Sequence, residues 1–113
     1  MDQCLFCKIS SREIPCDLLH EDEYIVAFKD INPKTPVHIL IVPKRHIKNI
    51  NELSDADTEL IGKMFILAKK LANNYQLSEK GYRLVINTRS DAGQTVDHLH
   101  LHLLGGKSLG SMA

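Results

Sequence analysis

Three histidines alternate with leucines in one short apolar segment near the end of the chain. The segment, residues 97–104, reads Asp-His-Leu-His-Leu-His-Leu-Leu. Because the side chains of a β-strand alternate between its two faces, this pattern predicts a strand with His98, His100 and His102 on one face. Imidazole changes charge near neutral pH and serves as a base, a nucleophile or a metal ligand. The segment is therefore a candidate chemical site.

The histidine row has three interpretations. It could be a solvated strand face, a three-histidine metal site or a centre of nucleophilic or acid–base catalysis, since neutral imidazoles bind Zn²⁺ as well as protons. The loop before it, residues 90–95, reads Ser-Asp-Ala-Gly-Gln-Thr and supplies a glycine together with amide and hydroxyl donors. Such donors beside a row of imidazoles suit an anionic phosphoryl group, so the loop favours catalysis.

The elements that must position this row predict an α+β domain with a mostly antiparallel sheet. One long helix is predicted over residues 54–75, where apolar residues recur at helical spacing after a capping box of Ser54 and Asp57. The other predicted elements are a short helical turn within residues 4–13, a hairpin over 17–30, and strands at 38–42, 82–87 and 98–104. A sheet of this kind can keep one face free of the core for a site.

Composition limits the classes of protein to which the chain can belong. Its 113 residues suit a single domain, residues 1–113. Fourteen basic residues balance fourteen acidic ones, which argues against a nucleic-acid binder with a basic face. No apolar run is long enough to cross a membrane, and the start of the chain lacks the pattern of a signal peptide. With an odd count of three cysteines, we expect a cytoplasmic protein without disulfides.

A second group of candidate ligands lies near the start of the chain, where Cys4 and Cys7 form a Cys-x-x-Cys pair. Such a pair is compatible with zinc binding, with redox chemistry or with two buried thiols. A zinc site needs further ligands, and the histidines of the chain are available for it. Cys16 has no partner in this scheme.

Several segments together resemble the histidine triad (HIT) superfamily. Residues 98–104 are similar to its His-x-His-x-His-x-x signature, in which x is apolar. Residues 30–38 resemble its Asp-Ile-x-Pro…Pro-x-His segment, residues 43–46 its Pro-Lys-x-His segment, and residues 93–98 its Gly-Gln-[Ser/Thr]-Val-x-His segment. Gly105-Gly106 closes the motif as in the Hint branch, and the chain as a whole resembles the zinc-containing, bacterial kind of that branch.

The resemblance, which covers roughly residues 4 to 107, implies a fold and an assembly. The fold is a five-stranded, mostly antiparallel sheet with one long and one short helix. The assembly is a homodimer with a ten-stranded sheet, in which the long helix and the strand at 82–87 form the interface. Apolar patterning by itself does not show a dimer, so this expectation depends on the resemblance.

The resemblance also implies a reaction. In the family the middle histidine, here His100, attacks the α-phosphorus of a nucleotide and forms a nucleotidyl-histidine that water hydrolyses. His102 is then a donor to the phosphate oxygens, and His38 supports the nucleophile in a proton relay. The implied activity is hydrolysis of purine nucleoside phosphoramidates at the P–N bond between AMP and an amine. The alternatives are cleavage of dinucleoside polyphosphates, as in the Fhit branch, and a nucleotide-binding regulatory module with little turnover.

The nucleotide-binding positions follow from the same motifs. Asp30 matches the carboxylate that accepts hydrogen bonds from both ribose hydroxyls. The positions implied near the phosphate and the leaving group are Asn87, Gly93, Gln94 and Thr95. The apolar positions implied around the base are Phe6, Ile9, Phe28, Ile31 and Leu40. For the five apolar residues, filling the core is an equally good interpretation.

The zinc-binding subset of the superfamily combines a cysteine pair with two histidines. The matching positions here are Cys4, Cys7, His46 and His98. The resemblance thus implies a closed, tetrahedral structural Zn²⁺ site in which His98 is a metal ligand rather than a catalyst. Because a closed site leaves no position for a catalytic water, no metal is expected to take part in the reaction.

Overall fold

The computed structural model describes residues 4–112 as one five-stranded antiparallel sheet with two helices, so residues 1–3 and 113 of the predicted domain lie outside the described part. The strand order is β1-β2-β3-β5-β4. The strands are β1 Leu18–Glu21, β2 Ile25–Lys29, β3 Val37–Pro43, β4 Tyr82–Val85 and β5 Leu101–Gly105, and the helices are α1 Leu5–Ser10 and α2 Thr58–Asn74. The predicted fold class is confirmed.

Strands β2 and β3 are buried on both faces. Along β3, Ile39 and Ile41 pack in the cluster under α2, whereas Leu40 and Val42 pack in the cluster under α1. This alternation explains why β2 and β3 are almost continuously apolar, since a strand covered on both faces has no solvent-facing positions. The free sheet face that the sequence suggested is therefore partly covered by α1, with Phe6 in its cluster.

The long helix begins later than the sequence predicts. The capping box is present, with the Ser54 backbone N–H donating to the Asp57 carboxylate at 2.9 Å. However, it caps a 3₁₀ turn, Asp55–Asp57, and the α-helix begins at Thr58 and ends at Asn74. The Arg45 guanidinium also binds the carboxylate of Asp57, the buried residue of the turn, so the turn is held in place from the neighbouring loop. Such tertiary contacts are not visible in a local pattern.

The histidine strand is also shorter than predicted. β5 begins at Leu101, so His98 and His100 precede the strand. There the backbone bonds to loops instead of the ladder, with the Leu99 N–H donating to the Ile47 carbonyl at 2.6 Å. The strand predicted at 82–87 ends at Val85, and the turn predicted at 4–13 is a six-residue helix. Across the described residues, no helix combines the length and apolar character that a membrane span requires.

Candidate active site and metal centre

Two cavities meet at the histidines. A polar cavity of about 440 Å³ and an apolar cavity of about 260 Å³ have five lining residues in common. We call these the shared rim: Asp30, Asn32, Thr95, His100 and His102. The apolar cavity extends from the rim between α1 and β2. The polar cavity extends the other way, toward the loop before β3 and the end of β4.

His100 is oriented by the backbone. Its Nδ1 lies 2.7 Å from the His98 carbonyl oxygen, so Nδ1 carries the proton and donates. The lone pair of the neutral ring is therefore on Nε2, which has no hydrogen-bond partner within the described part of the chain. The ring also meets Phe6 edge-on, with centroids 5.0 Å apart. A neutral imidazole with one nitrogen held as a donor and the other free is suited to nucleophilic attack.

His102 and His38 form a chain with a defined direction. The Lys34 backbone N–H donates to Nδ1 of His38 at 3.0 Å, so the His38 proton is on Nε2. That nitrogen lies 2.9 Å from Nδ1 of His102 and donates to it. His102 must then carry its proton on Nε2, a buried atom that has no partner among residues 4–112. The site thus contains a buried donor without an acceptor, which is typical of a place where a ligand oxygen binds.

Burial keeps these rings neutral at pH 7. It lowers the pKa of His102 to about 4, with the neighbouring histidines adding to the effect. Burial also lowers the pKa values of His100 and His38, against the attraction of the Asp30 carboxylate, whose Oδ2 lies 3.4 Å from the His38 Nε2. A lowered pKa preserves the lone pair of His100 at neutral pH, as a nucleophile requires.

The second cluster could hold a metal ion. The ligand atoms of Cys4, Cys7, His46 and His98 lie within 4.8 Å of one another. The sulfur–nitrogen distances are 3.3 Å for Cys4–His98, 3.3 Å for Cys7–His46 and 3.5 Å for Cys7–His98. Tetrahedral coordination with Zn–S and Zn–N distances of about 2.3 and 2.0 Å requires about 3.5 Å between such atoms. The two cysteines and two histidines are therefore spaced as ligands of a tetrahedral Zn²⁺ ion would be.

The protonation of this cluster also fits a cation. His98 Nε2 donates to the Pro43 carbonyl oxygen at 2.7 Å, so the lone pair of its Nδ1 faces the two sulfurs. Burial raises the pKa of Cys7 to about 11, and Cys4 beside it adds to the rise. Two adjacent thiols resist ionisation unless a positive charge lies between them. Since the His98 carbonyl also holds His100, the cluster and the candidate nucleophile are linked through one residue.

Comparison with known proteins agrees with this geometry. A family comparison matches residues 11–109 to the HIT domain. The chain belongs to the HIT domain family. It is 43% identical over 111 residues to a purine nucleoside phosphoramidase of Escherichia coli K12, a match that covers 98% of this chain and 93% of that protein.

Solved structures of HIT proteins have the same fold. A HIT family hydrolase from Legionella pneumophila Philadelphia 1 has a TM-score of 0.94 and 54% identity, with 96% of each chain covered. A histidine triad nucleotide-binding protein from Candida albicans has a TM-score of 0.82 and 31% identity, with 98% of this chain and 86% of that chain covered. The likeness therefore extends over nearly the whole chain.

The structure brings most of the predicted HIT site residues together. The shared rim contains Asp30, Thr95, His100 and His102. The polar cavity adds His38, Asn87 and Gly93, and the apolar cavity adds Phe6, Ile9, Phe28, Ile31 and Leu40. All five apolar residues thus line a cavity, although Phe6, Ile9, Phe28 and Leu40 also belong to the core.

Two predicted residues are placed differently. Gln94 lines neither cavity, because its amide nitrogen donates to the Lys48 carbonyl at 2.7 Å and its oxygen accepts from the Arg89 N–H at 2.8 Å. It braces the loop, and a direct contact with phosphate would require these bonds to break. His38 contacts His102 rather than the predicted nucleophile His100. It therefore supports the triad through the third histidine.

Sequence reasoning missed two groups in the site. Lys34 lines the polar cavity and its N–H sets the tautomer of His38, but the sequence indicates only a proline-flanked loop there. The Pro43 carbonyl orients His98, yet the sequence indicates only the end of a strand. Both contributions come from backbone atoms, which every residue has, so no side-chain pattern could have identified them.

Proposed function

We propose that the chain hydrolyses purine nucleoside phosphoramidates, releasing AMP and an amine, through a covalent intermediate on His100. The observation that carries this proposal is the pair of assigned tautomers: a lone pair on Nε2 of His100 and an unsatisfied donor on Nε2 of His102, both at the shared rim. An acceptor-free donor beside a neutral nucleophile suits attack at an oxygen-rich phosphorus. The similarity to a purine nucleoside phosphoramidase gives this reaction as the first to test.

The nucleoside fits the two cavities in one direction. Phe6 and Phe28, whose ring centroids are 5.7 Å apart, line the apolar cavity and offer ring edges and aliphatic surface to a flat base. The Asp30 carboxylate lies at the shared rim, where its two oxygens can accept from the ribose hydroxyls. The phosphoryl group then reaches His100 and His102, and the leaving group lies in the polar cavity.

The proposed reaction has two steps. In the first, Nε2 of His100 forms a bond to phosphorus, the bond from phosphorus to the amine breaks, and the amine leaves with a proton from solvent in the polar cavity. In the second, water attacks phosphorus, the bond to His100 breaks, and the proton of the water goes to solvent. Throughout, His102, whose ring centroid is 4.9 Å from that of His100, keeps its Nε2 proton and donates it in a hydrogen bond to a phosphoryl oxygen. The His38 hydrogen bond to Nδ1 of His102 keeps that proton on Nε2.

We further propose that the Cys4, Cys7, His46 and His98 cluster binds a structural Zn²⁺. The donor set and its spacing support zinc over hard cations, which prefer oxygen ligands. When bound, the ion would tie α1 to the segment before β5 and neutralise the cysteine thiolates. It would have four protein ligands and no open position, so no step of the reaction uses it.

We also propose that the chain forms a homodimer and is located in the cytoplasm. β4 is an edge strand of the sheet, and α2 exposes the apolar side chains of Phe65 and Ile66, which are 40% and 54% accessible. The open edge at β4 and the exposed apolar side chains of α2 each support the homodimer that the family resemblance implies. Three free cysteines support a reducing, cytoplasmic compartment. Sedimentation should give twice the chain mass, and a monomer at micromolar concentration would contradict the dimer.

The test of the activity is AMP release from adenosine 5′-phosphoramidate. Wild type should turn this substrate over, and His100→Ala should lose about 10³-fold or more of kcat. His20→Ala is the matched control, because His20 lies in the β1 strand away from both cavities. Rapid quenching should trap a phosphorus-linked histidine in wild type only. A folded wild type that cleaves diadenosine polyphosphates but not phosphoramidates would reject the proposed reaction.

A further inference from the structure

Among the described residues that line the polar cavity, Lys34 is the only lysine or arginine. It lies in the loop between β2 and β3, four residues before His38. The ion pairs among the described residues use Lys29, Lys44 and Lys63, and none uses Lys34. Its ammonium group is close enough to His38 to help lower the pKa of that ring, although burial is the larger cause. The cavity therefore contains a cation without an assigned partner.

The position of Lys34 distinguishes the two ends of a substrate. Lys34 lines the polar cavity and not the apolar one. In the proposed function, on which this inference rests, the nucleoside occupies the apolar cavity and the phosphoryl group the shared rim. The polar cavity is then the place of the leaving group. Lys34 thus lies on the leaving-group side of the scissile bond, opposite the base.

The other ionisable groups of the site leave Lys34 as the one permanent positive charge on the leaving-group side. His38 and His102 each accept a hydrogen bond at Nδ1, from the Lys34 N–H and from His38, so neither ring carries a positive charge. Asp30 is the one carboxylate among the lining residues of the polar cavity, and it lies on the shared rim, where the ribose is expected. A negative group on the leaving side would therefore meet one permanent positive charge, that of Lys34, and no fixed negative charge beyond the rim.

We propose that Lys34 determines specificity for the leaving group and selects amines that carry a negative charge, such as a carboxylate close to the scissile P–N bond. The attraction is that of an exposed ion pair, because the lysine side chain is solvent-exposed. Exposed pairs correspond to a preference of at most about fivefold at low salt, which weakens as salt screens the charges. The selection is a matter of binding and does not change the bond that breaks.

Two matched substrates test the proposal. Adenosine 5′-phosphoramidates of glycine and of glycinamide differ in one carboxylate against one neutral amide, and because this also changes the basicity of the leaving amine, the ratio of each variant is compared with that of wild type. The measurement is the ratio of their kcat/KM values at low and at high salt, for wild type, Lys34→Gln, Lys34→Arg and Lys80→Gln. Lys80 is the control, since this exposed lysine lines neither cavity. Thermal melting monitors the folding of each variant.

At low salt the ratio should be up to about fivefold higher in wild type, Lys34→Arg and Lys80→Gln than in Lys34→Gln, and the four ratios should converge at high salt. A ratio that is the same in wild type and Lys34→Gln, or a fall of the ratio that Lys80→Gln reproduces, would overturn the proposal while leaving the phosphoramidase activity in place.

A binding measurement separates this proposal from the proposed function. Calorimetry with His100→Ala gives the Kd ratio of the two compounds without turnover, and the double variant with Lys34→Gln gives the contribution of the lysine. If wild type turns over neither compound, the proposed reaction fails, and the Kd ratio still decides the role of Lys34. Equal Kd values for the two compounds in His100→Ala would reject the selection.

Discussion

Replacing His38 by leucine removes the donor that defines the tautomer of His102. The His38 side chain is only 3% accessible, and its Nε2 donates to Nδ1 of His102 over 2.9 Å. Leucine has a similar size but no polar atom, so the substitution leaves Nδ1 of His102 without its donor. His102 can then carry its proton on either nitrogen, and the form with the proton on Nε2 loses its advantage.

The expected loss of activity in His38→Leu follows from the free-energy cost of a buried polar atom that loses its hydrogen-bond partner. That cost is about 1–3 kcal/mol, and it is larger when the partner becomes charged. Because Nε2–H of His102 donates to a phosphoryl oxygen that gains negative charge in the proposed first step, losing the proton from Nε2 weakens the transition state more than the ground state. The expected loss in kcat/KM is about 5- to 150-fold.

The assay has two readouts. Release of AMP from adenosine 5′-phosphoramidate gives kcat/KM for wild type, His38→Leu and His20→Leu. The control removes a histidine that contacts a carboxylate, His20 Nε2 to Asp22 Oδ2 at 2.8 Å, outside both cavities, and should stay within twofold of wild type. Nitrogen-15 NMR of the imidazoles should show His102 with its proton on Nε2 in wild type and a mixture of tautomers in His38→Leu.

Two results would refute this reasoning. One is a His38→Leu enzyme within twofold of the wild-type kcat/KM, since the hydrogen bond would then have no role in the reaction. The other is a wild-type His102 with its proton on Nδ1, because the directed chain from the Lys34 N–H through His38 would then be assigned incorrectly. Circular dichroism of His38→Leu separates a loss of activity from a loss of fold.

Three further predictions concern the metal, pH and a turn. Cys7→Ser should lose the single zinc per chain measured by atomic absorption, whereas Cys16→Ser should retain it; equal zinc contents would argue against the cluster. Because burial lowers the pKa of His102 to about 4, the unfolded chain binds more protons than the folded chain between about pH 6.5 and 4, so stability falls as the pH falls through this range. Between pH 7.5 and 5, wild type should lose about 2 kcal/mol more than His102→Gln in urea titrations, and parallel losses would contradict this. Gly106→Ala should destabilise by at least about 1 kcal/mol more than Gly110→Ala, because both have positive φ, 95° and 75°, but only the first Cβ meets a proline side chain, at 2.9 Å; equal unfolding free energies would exclude this steric cause.

Local patterns in the sequence were sufficient for the elements and for most of the site. The period of two in β3 and β5 and the helical period of α2 determine which residues face which core, and the structure confirms the sheet and both helices. The motifs also placed Asp30, Thr95 and His100 in one site, because a motif records residue types that the reaction itself requires. Element boundaries were less accurate, since contacts from distant loops determine where α2 and β5 begin.

The sequence by itself determined which side chains were available for chemistry, because alternation and motif spacing depend only on neighbouring residues. The tertiary structure alone decided their protonation and direction. The tautomer of His100 depends on the His98 carbonyl, which any residue would offer, and that of His38 on the Lys34 N–H, which any residue except proline would offer. The closeness of His38 to His102 comes from β3 pairing with β5 across 64 positions of sequence. Hydrogen-bond direction and burial depend on the folded environment of each atom, and for that reason no linear pattern contains them.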